Sequence, residues 1–407
     1  MDFTRKLSFL VFILCLLFSL KNQNAETNKG SLNMNWFSSY SSPFSKAPLE
    51  SRPTIHHSSK LEWNTQDFQY SGFESLRYDY YSDSCPGAER IIRSTVRELY
   101  NLRPSIVPEL LRLVFHDCFI QGCDASVLLD SSEEIHSEKD SPPNESLKGF
   151  DQIDIIKEEL EEVCPGVVSC ADIVVLAARE SVILAGGPFY PLYTGRKDST
   201  RSFSDEATFE LPSPDDDIIK MVQLFESRGF DSRETVSLLG AHSTGVIHCK
   251  FIANRLYNFG GTHKPDPSID PEFLNTLRTK CTGIEASFST SASPSRSPSG
   301  SPSPSPSSPS SALSSALIKQ PGMRMDYEGP RADFGTLYYR SLLQNRGILF
   351  VDQQLTASEE TQNWVRGYAS DASLFGKDFA MAMMKLSSYQ VLTAPKGQVR
   401  SDCRKVA

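Results

Sequence analysis

One stretch limits what this chain can become: LLRLVFHDCFIQGCDAS, Leu110 to Ser126. Leu110, Leu111, Leu113 and Val114 give it the apolar face that anchors a helix in a core. Arg112 and His116 share one face of that helix, about a turn apart. Asp117, Asp124 and Ser126 gather side-chain oxygens around a short turn bracketed by Cys118 and Cys123. Gly122 stands where that turn must be sharp. A base, a fixed cation, a candidate cage for a hard metal and a staple side by side are more than packing requires.

The ends and the cysteines bound the setting. Residues 1–25 read as a secretory signal: Arg5 and Lys6 precede an apolar run from Leu7 to Leu20, and Ala25 offers a cleavage point. That run is short for a membrane span. Of the nine cysteines, Cys15 leaves with the signal. Cys85, Cys118, Cys123, Cys164, Cys170, Cys249, Cys281 and Cys403 remain. An even count behind a signal implies disulfides and an oxidising compartment, with the pairing left open. No pair has zinc-finger spacing. A formal charge of −9, without any basic run, argues against nucleic acid as a partner.

The 407 residues suit one large domain or two fused lobes. Residues 26–74 are polar, Ser-rich and aperiodic, a disordered extension. Structure is expected from about Leu76. Pro86 marks the start of a first helix, and the opening stretch supplies a second. Phe150 to Val163 is a third. Ser169 caps a fourth, CADIVVLAARESVILA, which is apolar nearly all round and belongs at the core. Asp215 to Arg228 is a further helix, and Asp231 and Glu234 open the one that leads to His242. The last helices run roughly Asp333 to Asn345, Ser358 to Tyr368 and Leu374 to Leu386. Alternating strands are scarce, so the fold class is all-α. Residues 286–316 are almost wholly Ser, Pro and Ala and cannot build a core. They form either a linker or an insertion.

Three places carry candidate chemistry. Arg112 beside His116 should favour the neutral imidazole, because like charges repel, and neutral imidazole is a base. His242, within LLGAHSTG, has the form of an axial haem ligand whose other nitrogen bonds a carboxylate. The turn from Asp117 to Ser126 suits Ca²⁺ rather than zinc.

Taken together the chain resembles the secretory plant haem peroxidases, from about Leu76 to Cys403. The resemblance rests on LLRLVFHDCFIQGCDASVLLD, PPNESLKGFD, CPGVVSCADIVVLAAR, GRKDS, LLGAHSTG and VDQQL, in family order. It implies a haem peroxidase fold, with distal and proximal helical lobes sandwiching haem b. It implies that His116 is the distal acid–base residue, Arg112 its partner, and Asn144 the residue that orients it. His242 becomes the axial iron ligand and Asp352 its hydrogen-bond partner. Asp117, Ile120, Gly122, Asp124 and Ser126 would hold a distal Ca²⁺, with Glu138 acting through water. Pro212 would lie at the substrate edge. The disulfides would be Cys85–Cys164, Cys118–Cys123, Cys170–Cys403 and Cys249–Cys281. The third of these makes 286–316 an insertion within one domain, 75–407. The implied activity is reduction of hydrogen peroxide with one-electron oxidation of small phenolic donors, by a monomer expected to be secreted, extracellular or in the cell wall, rather than vacuolar.

The chain departs from the family on the proximal side. Ser243 stands for a usual threonine and Asp326 remains, but Gly335 falls where a ligand aspartate belongs, and Gly329 or Pro330 replaces another threonine. Asp333 is a candidate substitute. A weakened or missing proximal calcium is expected. Met325 lies near the place of an aromatic that usually stacks on the axial histidine, and Thr244 replaces a common apolar residue. The alternative is a haem-binding homologue of low activity acting as a wall-associated interaction protein. Asn144 also lies in the chain's only N-glycosylation sequon, Asn-Glu-Ser. A place in the pocket excludes a glycan there.

Overall fold

The structure is a computed structural model that describes residues 76–282, 322–325 and 334–407. The expected signal peptide, N-terminal extension and Ser/Pro insertion lie outside the described residues, as do Asp326, Gly329, Pro330 and Asp333.

Four helices build a first wall: α1 (Ala88–Leu102), α2 (Ile106–Phe119), α3 (Phe150–Val163) and α4 (Cys170–Leu184). At its centre α4 packs against α1 and α2, and every residue from Cys170 to Val182 is buried. A helix buried all round must pair its polar groups. Asp172 accepts hydrogen bonds from Tyr81 Oη, Gly195 N and Arg196 Nη1, each at 2.7 Å. Arg179 reaches Glu180 at 2.7 Å and Glu89 at 2.8 Å. Ser169 caps α4 by accepting from Asp172 N at 3.2 Å. The first helix starts later than its proline suggests. Pro86 and Gly87 belong to a turn closed by Ala88 N donating to Cys85 O at 2.9 Å.

Two short helices follow, α5 (Ser204–Glu210) and α6 (Ile218–Glu226). The sequence pattern extends α6 back to Asp215, but the structure does not. Asp217 is the N-cap and accepts from Lys220 N at 2.9 Å, while Asp216 accepts from Ser213 N at 2.8 Å. Short carboxylates compete for backbone N–H groups and so stop a helix from starting earlier. α5 buries only Ala207, so it leaves no periodic signal.

The second wall contains α7 (Ser232–Leu239), then α8 (Ala253–Tyr257), α9 (Pro271–Lys280), α10 (Leu337–Leu343), α11 (Phe350–Gln354), α12 (Glu359–Ser370) and α13 (Ala372–Ser387). Asp231 and Glu234 close a reciprocal capping box on α7, at 2.7 and 2.9 Å. Among the described residues the only sheet is a pair, β1 (Val246–Ile247) antiparallel to β2 (Met323–Arg324). α13 packs on both α7 and α2 and so joins the walls. Disulfides Cys85–Cys164, Cys118–Cys123, Cys170–Cys403 and Cys249–Cys281 are formed. Cys170–Cys403 spans 233 residues and ties α4 to the C-terminal tail. Cross-links of this kind typically contribute about 2–4 kcal/mol.

Replacing Asp172 with Ala leaves Arg196, whose side chain is fully buried, without its carboxylate. Removing one partner of such a pair costs about 3–5 kcal/mol. We expect a corresponding fall in the midpoint of denaturant unfolding for Asp172→Ala, and a much smaller fall for exposed Lys405→Ala.

Candidate active site

Arg112 and His116 project from one face of α2, and Arg112 Nε donates to His116 Nε2 at 3.1 Å. The other face buries Leu110, Leu113 and Val114. Arg112 also donates to Pro143 O at 2.7 Å and Ser146 Oγ at 3.1 Å. His116 Nδ1 lies 2.5 Å from Asn144 Oδ1. Asn144 Nδ2 donates to Glu138 O at 2.8 Å, which turns its amide oxygen toward the imidazole. His116 therefore carries its proton on Nδ1, and Nε2 keeps a lone pair. Burial, followed by the Arg112 charge, holds His116 well below the usual histidine range, opposed by the Asn144 bond. Burial also lowers Arg112 to about 10. Phe115 stands edge-on to His116 at 6.0 Å and stacks on Phe225 of α6 at 5.9 Å.

The turn after α2 concentrates carboxylates in the interior. Asp117 Oδ2 accepts from Ala125 N at 3.1 Å, and Asp124 Oδ1 accepts from Ser126 N at 3.0 Å. Asp117 Oδ1, Ser126 Oγ and Glu138 Oε2 are buried without a hydrogen-bond partner. Burial, then Asp124 and Glu138, pushes Asp117 well above the usual carboxylate range. Burial lifts Asp124 to about 6 and Glu138 to about 7. Gly122 has φ +101°, and a Cβ there would run into the backbone of Tyr389 and Gln390. Ile120 is buried in the same turn. Arg400, from the C-terminal tail, donates to Ala125 O at 2.6 Å and sets its buried charge against Asp117 and Asp124. Among the described residues no three His, Cys, Asp or Glu side chains form a metal-binding cluster. Two carboxylates, a hydroxyl and turn carbonyls remain, a donor set suited to a hard cation.

His242 sits in a 3-10 turn, Gly240–Ser243, at the end of α7. Gly240 is required there, because a Cβ would strike the Tyr339 hydroxyl and the Phe375 ring. His242 Nδ1 lies 2.7 Å from Asp352 Oδ1, on α11. Tyr338 Oη donates to the same oxygen at 2.9 Å. Asp352 is fully buried, and its Oδ2 has no partner. Burial disfavours charge on His242, but the Asp352 charge and hydrogen bond outweigh it and raise the ring above its ordinary value. Arg112 opposes that rise, so its charge is felt at His242. The His242 side chain is 37% accessible, so the ring is open on the side away from Asp352. Ser243 Oγ is buried and unpartnered. Met325 is buried, and its N donates to Gly245 O at 2.9 Å.

Pro212 is half-buried between α5 and α6. This segment reaches both walls: Ser141 Oγ, beside Asn144, donates to Ser204 O at 2.8 Å, and Val351 N, beside Asp352, donates to Pro214 O at 3.0 Å. A groove lined by Asp154, Lys157, Glu161, Asp402 and Arg404 contains none of these site residues.

Nothing in the sequence marks Tyr338 as a partner of Asp352, or marks Arg400 and Arg255 as residues of the site. Arg255 is 2% exposed, pairs with Asp266 at 2.7 Å, and donates to the carbonyls of Gly347, Ile348 (2.9 Å) and Leu349 (3.1 Å), which lead into α11. Arg400 and Arg255 act across long sequence separations, Tyr338 reaches Asp352 from 14 residues away, and none of the three carries a local pattern.

A base held neutral beside a guanidinium, whose charge also reaches a carboxylate-bound imidazole, suits an enzyme that cleaves a peroxide bond. Sequence comparison arrives at the same class. The peroxidase family profile matches residues 92–371. The chain is 56% identical to Putative Peroxidase 48 of Arabidopsis thaliana, over 81% of this chain and 82% of that protein. It is 38% identical to Peroxidase 57 of Arabidopsis thaliana, over 82% and 93%. It is 39% identical to Peroxidase 5 of Vitis vinifera, over 81% and 91%. The chain belongs to the peroxidase family, in its secretory plant branch. It is an oxidoreductase, and haem and calcium are the cofactors its family implies.

The raised acids give a pH signature. Between the ordinary carboxylate range, about 4, and about 7, the folded state binds protons that the unfolded chain has released. Stability then falls as pH rises through that window. With a chelator present, we expect urea midpoints to fall from about pH 4 to about pH 7, and added Ca²⁺ to reverse the fall most strongly at the upper end.

Proposed function

We propose that this chain is a secreted haem b peroxidase in which Arg112 and His116 activate hydrogen peroxide and small phenols are oxidised near Pro212. The observation that carries the reading is the double constraint on His116. Asn144 accepts from Nδ1 and Arg112 donates to Nε2, so the single basic position lies 3.1 Å from a permanent cation.

The residues fit haem. His242 is an accessible imidazole whose second nitrogen is bound to a buried carboxylate, which makes it a stronger donor, and the haem slot would lie between it and Arg112, whose charge reaches it. His242 would hold the haem iron, with Asp352 as its hydrogen-bond partner. Haem, when bound, supplies the redox-active iron at which peroxide is reduced.

The distal residues handle the protons. An incoming peroxide O–H replaces Arg112 as the donor to His116 Nε2. His116 takes the proton from one oxygen and returns it to the other, which leaves as water. Arg112 stabilises the charge that builds on the departing oxygen. Pro143 and Ser146 hold the guanidinium in place for this task. Two phenols then each give one electron and one proton, and a second water completes the balance.

The distal turn fits calcium through Asp117, Asp124, Ser126 and the carbonyls of Ile120 and Gly122, with Glu138 acting through water. Its unpartnered oxygens and raised acids support the assignment. A cation there would hold the end of α2. On the proximal side Ser243 is a described candidate ligand, but Gly335 supplies no carboxylate where the family has a ligand aspartate, and this supports a weak or missing second calcium. Asn144 is buried and bonded at both ends of its amide, which supports an unglycosylated sequon. Cys170–Cys403 supports one domain, 75–407, interrupted by 286–316. Secretion to the wall, as a monomer, agrees with the disulfides and with the family. No helix among the described residues is long and apolar enough to cross a membrane.

His116→Leu should retain the haem absorption band but lose about 10²–10⁴-fold in the rate at which peroxide shifts it. Stopped-flow absorbance measures that rate. A His116→Leu protein that reacts as fast as the wild type would sink the assignment.

A further inference from the structure

A series of oxidisable rings runs from the proximal wall to the surface. Tyr338 lies edge-on to His242 with centroids 6.4 Å apart. Tyr338 and Tyr339 are 4.9 Å apart, Tyr339 and Tyr368 are 5.1 Å apart, and Tyr368 and Trp364 are 6.1 Å apart. The three tyrosines are fully buried, whereas Trp364 is partly exposed on α12. Phenylalanines of the same core, Phe334, Phe375 and Phe379, pack beside this series. Phenylalanine would fill the tyrosine positions without burying hydroxyls, each of which must find a partner. Tyrosine and tryptophan are also the aromatic side chains that give up an electron most readily.

We propose that Tyr338, Tyr339, Tyr368 and Trp364 conduct single electrons inward, which makes Trp364 a second oxidation site for phenols too bulky to enter the slot. The inference rests on the proposed role of His242 in holding haem. The oxidant is the peroxide-oxidised enzyme.

The hydrogen bonds assign the stations. Tyr368 Oη donates to Asp378 Oδ2 at 2.8 Å. When Tyr368 loses an electron, its phenolic proton moves to Asp378, and it returns when the tyrosyl is reduced. Tyr339 Oη bonds only the carbonyls of Val236 and Ser237, at 2.9 and 3.4 Å, and these cannot take a proton. Tyr339 therefore bridges without holding the charge. Arg233 pairs with Asp378 at 2.7 and 2.8 Å and lies 4.7 Å over the Trp364 ring. A cation over that ring disfavours a positive charge on it. The oxidising equivalent rests on Tyr368, and Trp364 becomes a strong, short-lived oxidant for a donor pressed against it. For each transfer the enzyme interior gains one electron. The surface phenol loses one electron and releases one proton to water.

The test uses the full-length haem-loaded protein with Trp364→Phe and Tyr368→Phe variants. One donor is a free methoxyphenol and the other is the same phenol coupled to dextran. After peroxide addition without donor, electron paramagnetic resonance reads the protein radical, and spin-trap adducts are mapped by peptide mass spectrometry. We expect wild-type adducts at Tyr368 and Trp364. Trp364→Phe should keep the Tyr368 adduct, and Tyr368→Phe should lose the Trp364 adduct. In both variants kcat/KM for the dextran-bound phenol should drop at least about tenfold, with the free-phenol rate unchanged. Wild-type protein without adducts at either residue, or variants that oxidise the bound phenol as fast as the wild type, would overturn the inference. The two readings fail differently. A fault in the slot assignment removes the free-phenol rate from the wild type. A fault here leaves that rate intact and makes the bound-phenol rates of all three proteins equal.

Discussion

A neutral imidazole held within hydrogen-bonding distance of a guanidinium is the constraint on which the structure turns. Two positive charges at that range in a protein repel by an amount on the order of 4 kcal/mol, so the pair persists as one cation and one base. Holding them there requires a rigid helix and an acceptor on the far nitrogen. α2 supplies the first by burying Leu110, Leu113 and Val114 against α4. Asn144 supplies the second, fixed in turn by Glu138 O. The end of α2 is fastened by Cys118–Cys123, by the acid turn and by Arg400 from the other end of the chain.

The proximal wall follows a different logic. His242 is held by one strong acceptor, and that acceptor is shared. Tyr338 and His242 both donate to Asp352 Oδ1, so the phenol draws on the electron density that the imidazole would otherwise receive. The shared oxygen links the donor strength of His242 to the aromatic core behind it. Arg255 fixes the backbone that delivers Asp352 to this point. A tyrosine-rich core thus serves packing, electrostatics and, on the inference above, electron conduction with the same side chains.

Local chemistry could be read from the sequence wherever it repeats with a helical period or depends on near neighbours. α3 and α4 start where their patterns begin, and the capping box at Asp231 and Glu234 forms as written. The pattern misled at Asp215, where carboxylates compete for backbone N–H groups, and at Pro86, which entered a turn. α5 left no signal, since one buried alanine makes no period. The site behaved likewise. Arg112 and His116 stand out because they lie on one helix, whereas the neighbours of Asp352 could not be found by spacing.

The sequence by itself determined the all-α class, the helix that bears the base and the cation, and the family, because periodicity and short motifs are local properties of a chain. Only the tertiary arrangement set the state of the side chains. Whether His116 is basic depends on Asn144, 28 residues away, and on burial. How strongly His242 is drawn to Asp352 depends on Tyr338 and on a contact across 110 residues. Proton affinity is set by the charges and dipoles that packing brings within a few ångströms, and that proximity is not written in the order of residues.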